Sequence, residues 1–280
     1  MDADKQELHA LAAQLAAGYQ PSGWQPVASS PHTRVAFNSE RQLIYREFRS
    51  RSPADSLMAR LQGGRAARAR RNSDALLLAG IDAPASVHWG RLPGGAEYLF
   101  SARLPGRRLH RWLKDFAARP DDTNRNTRST LLVALGVFVG RLHAAGFIHG
   151  DLRPENILVD QRGDFFQFAL LDNEYNQRKS PPPGRMLLRN LMQLNTLPAH
   201  LLSHTDRMRF FRSWRSHLRD YSTPEVKLLA AEACRRAMPR APQCAALKPA
   251  QPAGQSSAGA PADSRPQAQA ADGGEGGSTP

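Results

Sequence analysis

The chain has 280 residues, of which 41% are hydrophobic and 22% charged, which is enough apolar content for one or two globular domains. The formal net charge of +13 favours an anionic partner, such as a nucleic acid, a phosphorylated lipid or a membrane surface. Only two cysteines are present, Cys234 and Cys244, which argues against a disulfide framework and fits a reducing compartment. The N-terminus lacks a signal-peptide pattern, and the longest strongly apolar run (131–139) is far short of the ~18–20 residues of a membrane span. We therefore expect a soluble or peripheral protein.

The first hundred residues predict strands on both sides of a basic helix. In chain order, the expected elements are a helix over 5–17, two strands between 35 and 48, a basic helical stretch that stops at Gly80, and two strands over 86–90 and Glu97–Ala102. The second strand pair turns at Pro93-Gly94-Gly95. Backbone groups around 99–103 are expected to meet an adenine ring.

A predominantly helical half is predicted to follow. Leu104-Pro105-Gly106 reads as a hinge that leads into a helix over 109–117. A second helix is expected to be capped by Ser129-Thr130 and to end at Gly146, with apolar residues at helical spacing between them. Further helices are predicted over 184–194, 206–221 and 224–237, and the Ala-, Pro- and Gly-rich tail from 241 is predicted to be disordered.

The stretch from Phe147 to Val159 carries the most specific pattern, His149-Gly150-Asp151-Leu152 followed by Asn156. It matches the kinase catalytic-loop pattern H-x-D-L-x-x-x-N, with Gly150 where protein kinases carry Arg. Phosphoryl transfer needs a carboxylate to orient the attacking hydroxyl, which predicts Asp151 as the catalytic residue. It also needs a neutral oxygen ligand for magnesium, which predicts Asn156. His149 is expected to hold the loop by hydrogen bonds.

A second acidic position follows the loop after two predicted strands, which turn at 161–164. The second strand ends in Leu171-Asp172-Asn173-Glu174, which places Asp172 where kinases put their principal metal-binding aspartate. The Phe-Gly that usually follows is replaced by Asn173-Glu174. The order helix, loop, strand, turn, strand and Asp predicts an α+β, two-lobed kinase-like fold. Its expected parts are an N-terminal extension (1–30), an N-lobe (31–103), a C-lobe (104–240) and a tail (241–280).

With these motifs in place, the chain resembles the bacterial lipopolysaccharide kinases, which phosphorylate Kdo or heptose sugars of the inner core. The similarity covers roughly 30–220 and rests on four runs: 44–52, Gly63-Gly64-Arg65-Ala66, the loop and strand end described above, and 189–195. The resemblance implies a protein-kinase-like fold, ATP and Mg²⁺ as cofactors, and a lipid A–core glycolipid as substrate. It also implies a cytoplasmic protein, peripheral on the anionic inner face of the cytoplasmic membrane.

Two departures from the family pattern concern the nucleotide. Arg46 stands where the family usually carries the Lys that meets ATP phosphates, so Arg46 is the expected phosphate contact. The helix position that should supply a Glu partner falls near Ala69, which leaves Glu47 or Asp74 as candidate partners.

Three other functions stay open at this point. A non-catalytic pseudokinase that binds anionic lipid or a protein partner would explain Arg46 and the missing helix Glu. A small-molecule phosphotransferase of the aminoglycoside or choline kinase type shares the His-Gly-Asp loop, but a cationic substrate needs an acidic cleft. A nucleic-acid partner fits the charge, yet no nucleic-acid motif is present, so none is expected. The histidines show no zinc-ligand spacing with the cysteines.

Overall fold

The computed structural model describes residues 2–29, 32–49 and 63–237. The chain divides into two compact units, 1–239 and 240–280, and everything below concerns the first. The predicted disordered tail, and Arg51 and Arg60 of the basic stretch, lie outside the described residues. Within those described, no helix is long and apolar enough to cross a bilayer.

The N-terminal part is an antiparallel five-stranded sheet with helices packed against it. Its strands are β1 (Trp24–Val27), β2 (Thr33–Asn38), β3 (Leu43–Phe48), β4 (Ser86–Arg91) and β5 (Glu97–Ala102), in the order β1-β2-β3-β5-β4. Helix α1 (Asp2–Ala17) precedes the sheet, and helix α2 (Arg65–Leu78) lies between β3 and β4 in the chain. The predicted strands and both helices are present, and only the short β1 was not predicted.

The alternation of side chains along β3 decides which way its charged residues face. Tyr45 is fully buried with Phe100 in a cluster that includes Ala12 and Leu15 of α1. Successive side chains of a strand point to opposite faces, so Arg46 lies on the other face, which it shares with Phe48. Phe48 packs there with Ala66 of α2. Arg46 is therefore carried on an interior strand, paired with Leu99 of β5, and turned away from α1.

The C-terminal part is mainly helical. Its helices are α3 (Leu109–Ala118), α4 (Asp122–Ala144), α5 (Gly184–Leu194), α6 (His204–Arg215) and α7 (Thr223–Ala237). Short strands β6 (Arg107–Arg108), β7 (Phe147–Ile148), β8 (Ile157–Arg162), β9 (Phe165–Leu170) and β10 (Gln177–Arg178) form two small sheets, β6-β8-β9 and β7-β10. A strand-rich half followed by a helical half confirms the α+β prediction. The predicted domain boundaries stay a prediction.

Helices α4 and α6 are in close contact through glycines. A side chain at Gly136 would meet the backbone of Phe210, and one at Gly140 would lie 2.9 Å from the carbonyl oxygen of Trp214. This approach places the fully buried Trp214 beside the end of α4, next to the segment that carries the catalytic loop.

Two predicted helix boundaries were wrong. Helix α4 begins at Asp122 rather than after Ser129-Thr130, because the Asp121 carboxylate accepts the backbone N–H of Asn124 and caps the helix earlier. The extra turns are exposed and polar, so they carry no apolar periodicity. Helix α6 ends at Arg215 rather than near 221. Just after this end, the His217 N–H donates to the Trp214 carbonyl.

Candidate active site

The catalytic-loop histidine is a structural residue. His149 is buried, and its Nδ1 accepts the backbone N–H of Asp151 at 3.0 Å. That bond leaves the proton on Nε2, which donates to the Leu171 carbonyl at 2.8 Å. Burial lowers the pKa of His149, which favours the neutral ring. The imidazole holds the loop by hydrogen bonds, as expected from the sequence, and it also joins the loop to Leu171, the residue that precedes Asp172.

Asn190 of α5 holds the catalytic loop by hydrogen bonds to His149. Its Nδ2 donates to the His149 carbonyl at 2.7 Å, and its Oδ1 accepts the His149 N–H at 3.1 Å. Its Oδ1 also meets Nε2 of His143 at 3.2 Å, and Trp214 donates to Nδ1 of that ring at 2.9 Å. Burial lowers the pKa of His143 to about 4, so the ring is neutral and donates to Asn190.

Two neighbours of Asn190 complete this support. Gln193 accepts the Leu152 N–H at 3.0 Å, and Arg189 donates to the Gly150 carbonyl at 3.0 Å. The run 189–195, which the sequence singled out only by resemblance, therefore contributes three side chains that hold the catalytic loop.

Gly150 is glycine because of what packs on it. A Cβ there would lie 2.9 Å from the carbonyl oxygen of Tyr175, so a larger residue would displace the turn after Asp172. The Gly150 N–H also donates to Oδ1 of Asn176 at 3.1 Å. The exchange of the kinase Arg for Gly150 thus lets the segment after Asp172 lie directly against the catalytic loop.

The carboxylate of Asp151 is held at the surface of the cleft by two side chains. Arg153 donates to both of its oxygens, from Nε to Oδ1 at 2.8 Å and from Nη2 to Oδ2 at 2.6 Å. Asn156 donates to Oδ2 at 3.1 Å and to the Asp151 carbonyl at 2.9 Å. Arg153 was not predicted as a site residue. The available signal was a basic side chain two positions after the loop aspartate.

Asp172 adopts a left-handed backbone conformation, with φ 58° and ψ 47°, which Asp tolerates better than most residues. Its Oδ1 lies 2.5 Å from Nη1 of Arg46. Burial alone would raise the pKa of Asp172, but the Arg46 charge outweighs it and holds the pKa below its ordinary value. The structure thus brings Arg46 and Asp172 together.

This pairing corrects the predicted partner of Arg46. Glu47 points to the opposite face of β3 and is paired with Arg49 at 2.7 Å. Asp74 is paired with Arg70 at 3.1 Å, one turn away on the same helix. Neither contacts Arg46. The partner of Arg46 is instead Asp172, from the C-terminal half of the chain.

A second arginine from the N-terminal part reaches the same turn. Arg65, the first residue of α2, places Nη2 2.8 Å from Oε1 of Glu174, and both side chains are more than nine-tenths buried. The start of α2 is fixed by Glu97, which accepts the Ala66 N–H at 3.0 Å. Gly64 leaves room for that carboxylate, since a Cβ there would overlap it. Glu174 is therefore a buried structural partner rather than a surface acid.

Asp151, Asp172, Glu174 and their arginine partners line one cleft of about 1420 Å³. Asn156 is buried and is not among its lining residues. Of the residues that the structure describes, three acidic side chains line its walls, each already paired with an arginine: Asp151 with Arg153, Asp172 with Arg46, and Glu174 with Arg65. Six more basic side chains among the described residues line it: Arg68, Arg71, Arg108, Arg178, Lys179 and Arg189. The basic helix α2 thus contributes to the cleft as well as to the solvated surface, and the cleft has an excess of positive charge.

Comparison with known proteins defines the class of protein first. The model of the "Lipopolysaccharide kinase (Kdo/WaaP) family" matches residues 27–214. The solved structure "WaaP in complex with acyl carrier protein" is similar at 20% identity and TM-score 0.55, over 79% of this chain and 95% of that one. An aminoglycoside phosphotransferase, APH(3'')-Id from Streptomyces rimosus, is similar at 15% identity and TM-score 0.46, over 82% and 98%.

A shorter match is to the serine/threonine-protein kinase CBK1 of Candida glabrata, 33% identical over 89 residues, which are 31% of this chain. The match spans only 11% of that protein's length. The fold is thus protein-kinase-like. It belongs to the lipopolysaccharide kinase (Kdo/WaaP) family, as the resemblance implied.

The buried pair predicts a large effect on stability. Replacing Glu174 by Ala leaves the buried Arg65 charge without its partner, which should lower the free energy of unfolding by about 3–5 kcal/mol. The matched control is Asp122→Ala, which removes an exposed pair with Arg125 and should cost less than about 1 kcal/mol. Urea unfolding of both variants measures the difference. Equal, small losses of unfolding free energy would show that the Arg65–Glu174 pair stabilises the fold no more than an exposed pair does.

Proposed function

We propose that this kinase transfers the γ-phosphate of ATP to a hydroxyl of a Kdo or heptose sugar in the lipopolysaccharide inner core. The observation that carries the proposal is the position of Asp151. Its carboxylate lines the same cleft as Asp172 and Arg46, on a loop fixed by hydrogen bonds from three elements. Family membership supports a sugar acceptor, and the excess of arginine in the cleft suits the acidic groups of that glycolipid.

In the proposed reaction, the hydroxyl oxygen of the sugar attacks the γ-phosphorus, and the bond from that phosphorus to the bridging oxygen of ADP breaks. Asp151 orients the hydroxyl and takes its proton. Arg153 holds the Asp151 carboxylate in the resting protein, and in the proposed reaction its guanidinium would donate to the transferred phosphoryl group instead. The rigid loop keeps the carboxylate in place, since a misplaced base loses much of its effect.

Magnesium is part of this proposal, and the donor set at the loop suits it. Mg²⁺ prefers oxygen ligands and is usually held by one or two protein groups together with substrate phosphates. Asp172 offers a carboxylate and Asn156 an amide oxygen, so these two residues would hold the ion. Bound there, magnesium would neutralise charge that develops on the phosphates.

Arg46 is the proposed phosphate contact. In the resting protein it neutralises Asp172, one of the residues that would hold magnesium, and it would leave that carboxylate when the nucleotide binds. The freed guanidinium could then donate two parallel hydrogen bonds to phosphate oxygens from the face of β3 that it already occupies. The adenine is proposed to meet backbone groups around 99–103, at the end of β5.

A cationic small-molecule acceptor fits the cleft less well. Among the described lining residues, every carboxylate is paired with an arginine, so an aminoglycoside-like amine would find repulsion instead of a counter-charge.

The role of Asp151 has a direct test. Asp151→Ala should lower the rate of phosphate transfer to inner-core glycolipid by about 10²–10⁴-fold, because it removes the group that orients and deprotonates the hydroxyl. ATP affinity, measured by calorimetry, should change little. Asp160→Ala serves as the control, since that residue is paired with Arg162 on the nearby β8 hairpin outside the cleft lining. Lost ATP binding with normal turnover per bound ATP would mean that the role is assigned wrongly.

We further propose that the protein works in the cytoplasm, peripherally at the anionic inner face of the cytoplasmic membrane. The net charge of +13 supports this, because each basic side chain near such a surface contributes about 1 kcal/mol. Binding to vesicles that contain anionic lipid should be measurable by sedimentation and should weaken as salt rises. Vesicles of neutral lipid are the control. Binding that is absent, or the same at all salt concentrations, would remove the membrane from the proposal.

A further inference from the structure

We propose that Arg178, Lys179 and Arg189 form an anion-binding wall that holds an acidic group of the acceptor, a carboxylate or a phosphate, while its hydroxyl faces Asp151. The inference rests on the proposed function and adds residues that select the substrate. All three side chains are exposed and line the cleft that contains Asp151.

Strand pairing brings the first two residues to the catalytic loop. Strand β10 pairs with β7, so that Arg178 lies opposite Phe147, two residues before His149. The Arg178 guanidinium lies 5.2 Å from the centroid of the Phe147 ring, which is buried. This cation–π contact holds the guanidinium in position. The Lys179 N–H donates to the Gly146 carbonyl at 2.8 Å, which extends the pairing by one residue.

Arg189 approaches the loop from helix α5. Its Nη2 donates to the carbonyl oxygen of Gly150, the residue directly before Asp151, at 3.0 Å. This single bond leaves most of the guanidinium donors available to a ligand. The wall therefore draws its cations from two separate elements, both attached to the backbone of the 146–150 segment.

Within the described residues, the acids of the cleft leave Arg178, Lys179 and Arg189 without an ion-pair partner. Asp151, Asp172 and Glu174 already have arginine partners, and the proposed nucleotide contacts use Arg46 and the metal ligands. Of the other basic lining residues, Arg68 donates to the Gly63 carbonyl at 2.6 Å.

Arg108 likewise donates to the Glu155 carbonyl at 2.8 Å. The Lys179 ammonium, in contrast, has no ion pair or hydrogen bond within the described residues. A compact anionic group next to the reacting hydroxyl would supply that missing counter-charge.

The test compares acceptors that differ in one charge. Transfer to Kdo-bearing lipid A is measured for three forms: the native glycolipid, one with the Kdo carboxyl reduced to an alcohol, and one with the lipid A phosphates removed. The same series is run with Arg178→Gln/Lys179→Gln and with Arg215→Gln, an exposed arginine outside the cleft lining, as the matched control. The KM for ATP is recorded beside the KM for acceptor.

The proposal expects the double variant to raise the acceptor KM about tenfold or more, because charge-assisted contacts are lost. The ATP KM should hold, and Arg215→Gln should behave as wild type. The effect of the double variant should vanish for whichever form lacks the recognised group, which tells carboxylate from phosphate. An acceptor KM that is the same in wild type and double variant for all three forms would overturn the wall.

Failure of the proposed function has a different signature. In that case the wild-type protein transfers phosphate to none of the glycolipids. The anion-binding wall is then tested by direct binding of free Kdo, which is monitored by NMR titration of the sugar. Weaker binding of Kdo to the double variant than to Arg215→Gln supports the wall. Equal binding to the double variant and to wild type, or no binding to wild type, contradicts it.

Discussion

The buried ion pair between Arg65 and Glu174 is the constraint on which the geometry of the site depends. Two charges removed from water are stable only when each meets the other, so the first turn of α2 and the turn after β9 are held in one arrangement. Asp172 lies two residues before Glu174 and forms an ion pair with Arg46, in which both side chains are only partly buried. Two arginines from the N-terminal part therefore fix both acidic residues of the segment Asp172-Asn173-Glu174, and the relative position of β3 and the Asp172 carboxylate follows from this.

The catalytic loop is fixed by a different means, since its supports are neutral. His143, His149 and Asn190 are all buried, and the hydrogen bonds of each ring determine which nitrogen carries the proton. Burial lowers the pKa of both histidines and so favours neutral rings beside Asp151. Gly150 lets the turn after Asp172 lie against the loop. Asp151 and Asp172 thus keep their relative position because the segments that carry them are packed together.

The sequence was most informative where a pattern is local. Helix α5 was predicted with its observed bounds, and the strands and loop around Asp151 follow the expected order, because apolar spacing and turn residues determine them. The start of α4 was missed because an exposed polar cap has no apolar signal. The partners of Arg46 and Arg65 could not be predicted, since each lies more than a hundred residues away and only the folded chain brings the charges together.

The central claim is that Arg46, in place of the usual lysine, serves the nucleotide phosphates in an active enzyme. Phosphate transfer to inner-core glycolipid, measured against ATP concentration for wild type, Arg46→Lys and Arg46→Ala, tests it most directly. The exposed Arg41→Ala is the control. The account predicts that wild type is active, that Arg46→Lys retains much of the activity, and that Arg46→Ala raises the ATP constant and lowers transfer. Transfer that is unchanged in Arg46→Ala would contradict it, because Arg46 would then make no contact with the nucleotide.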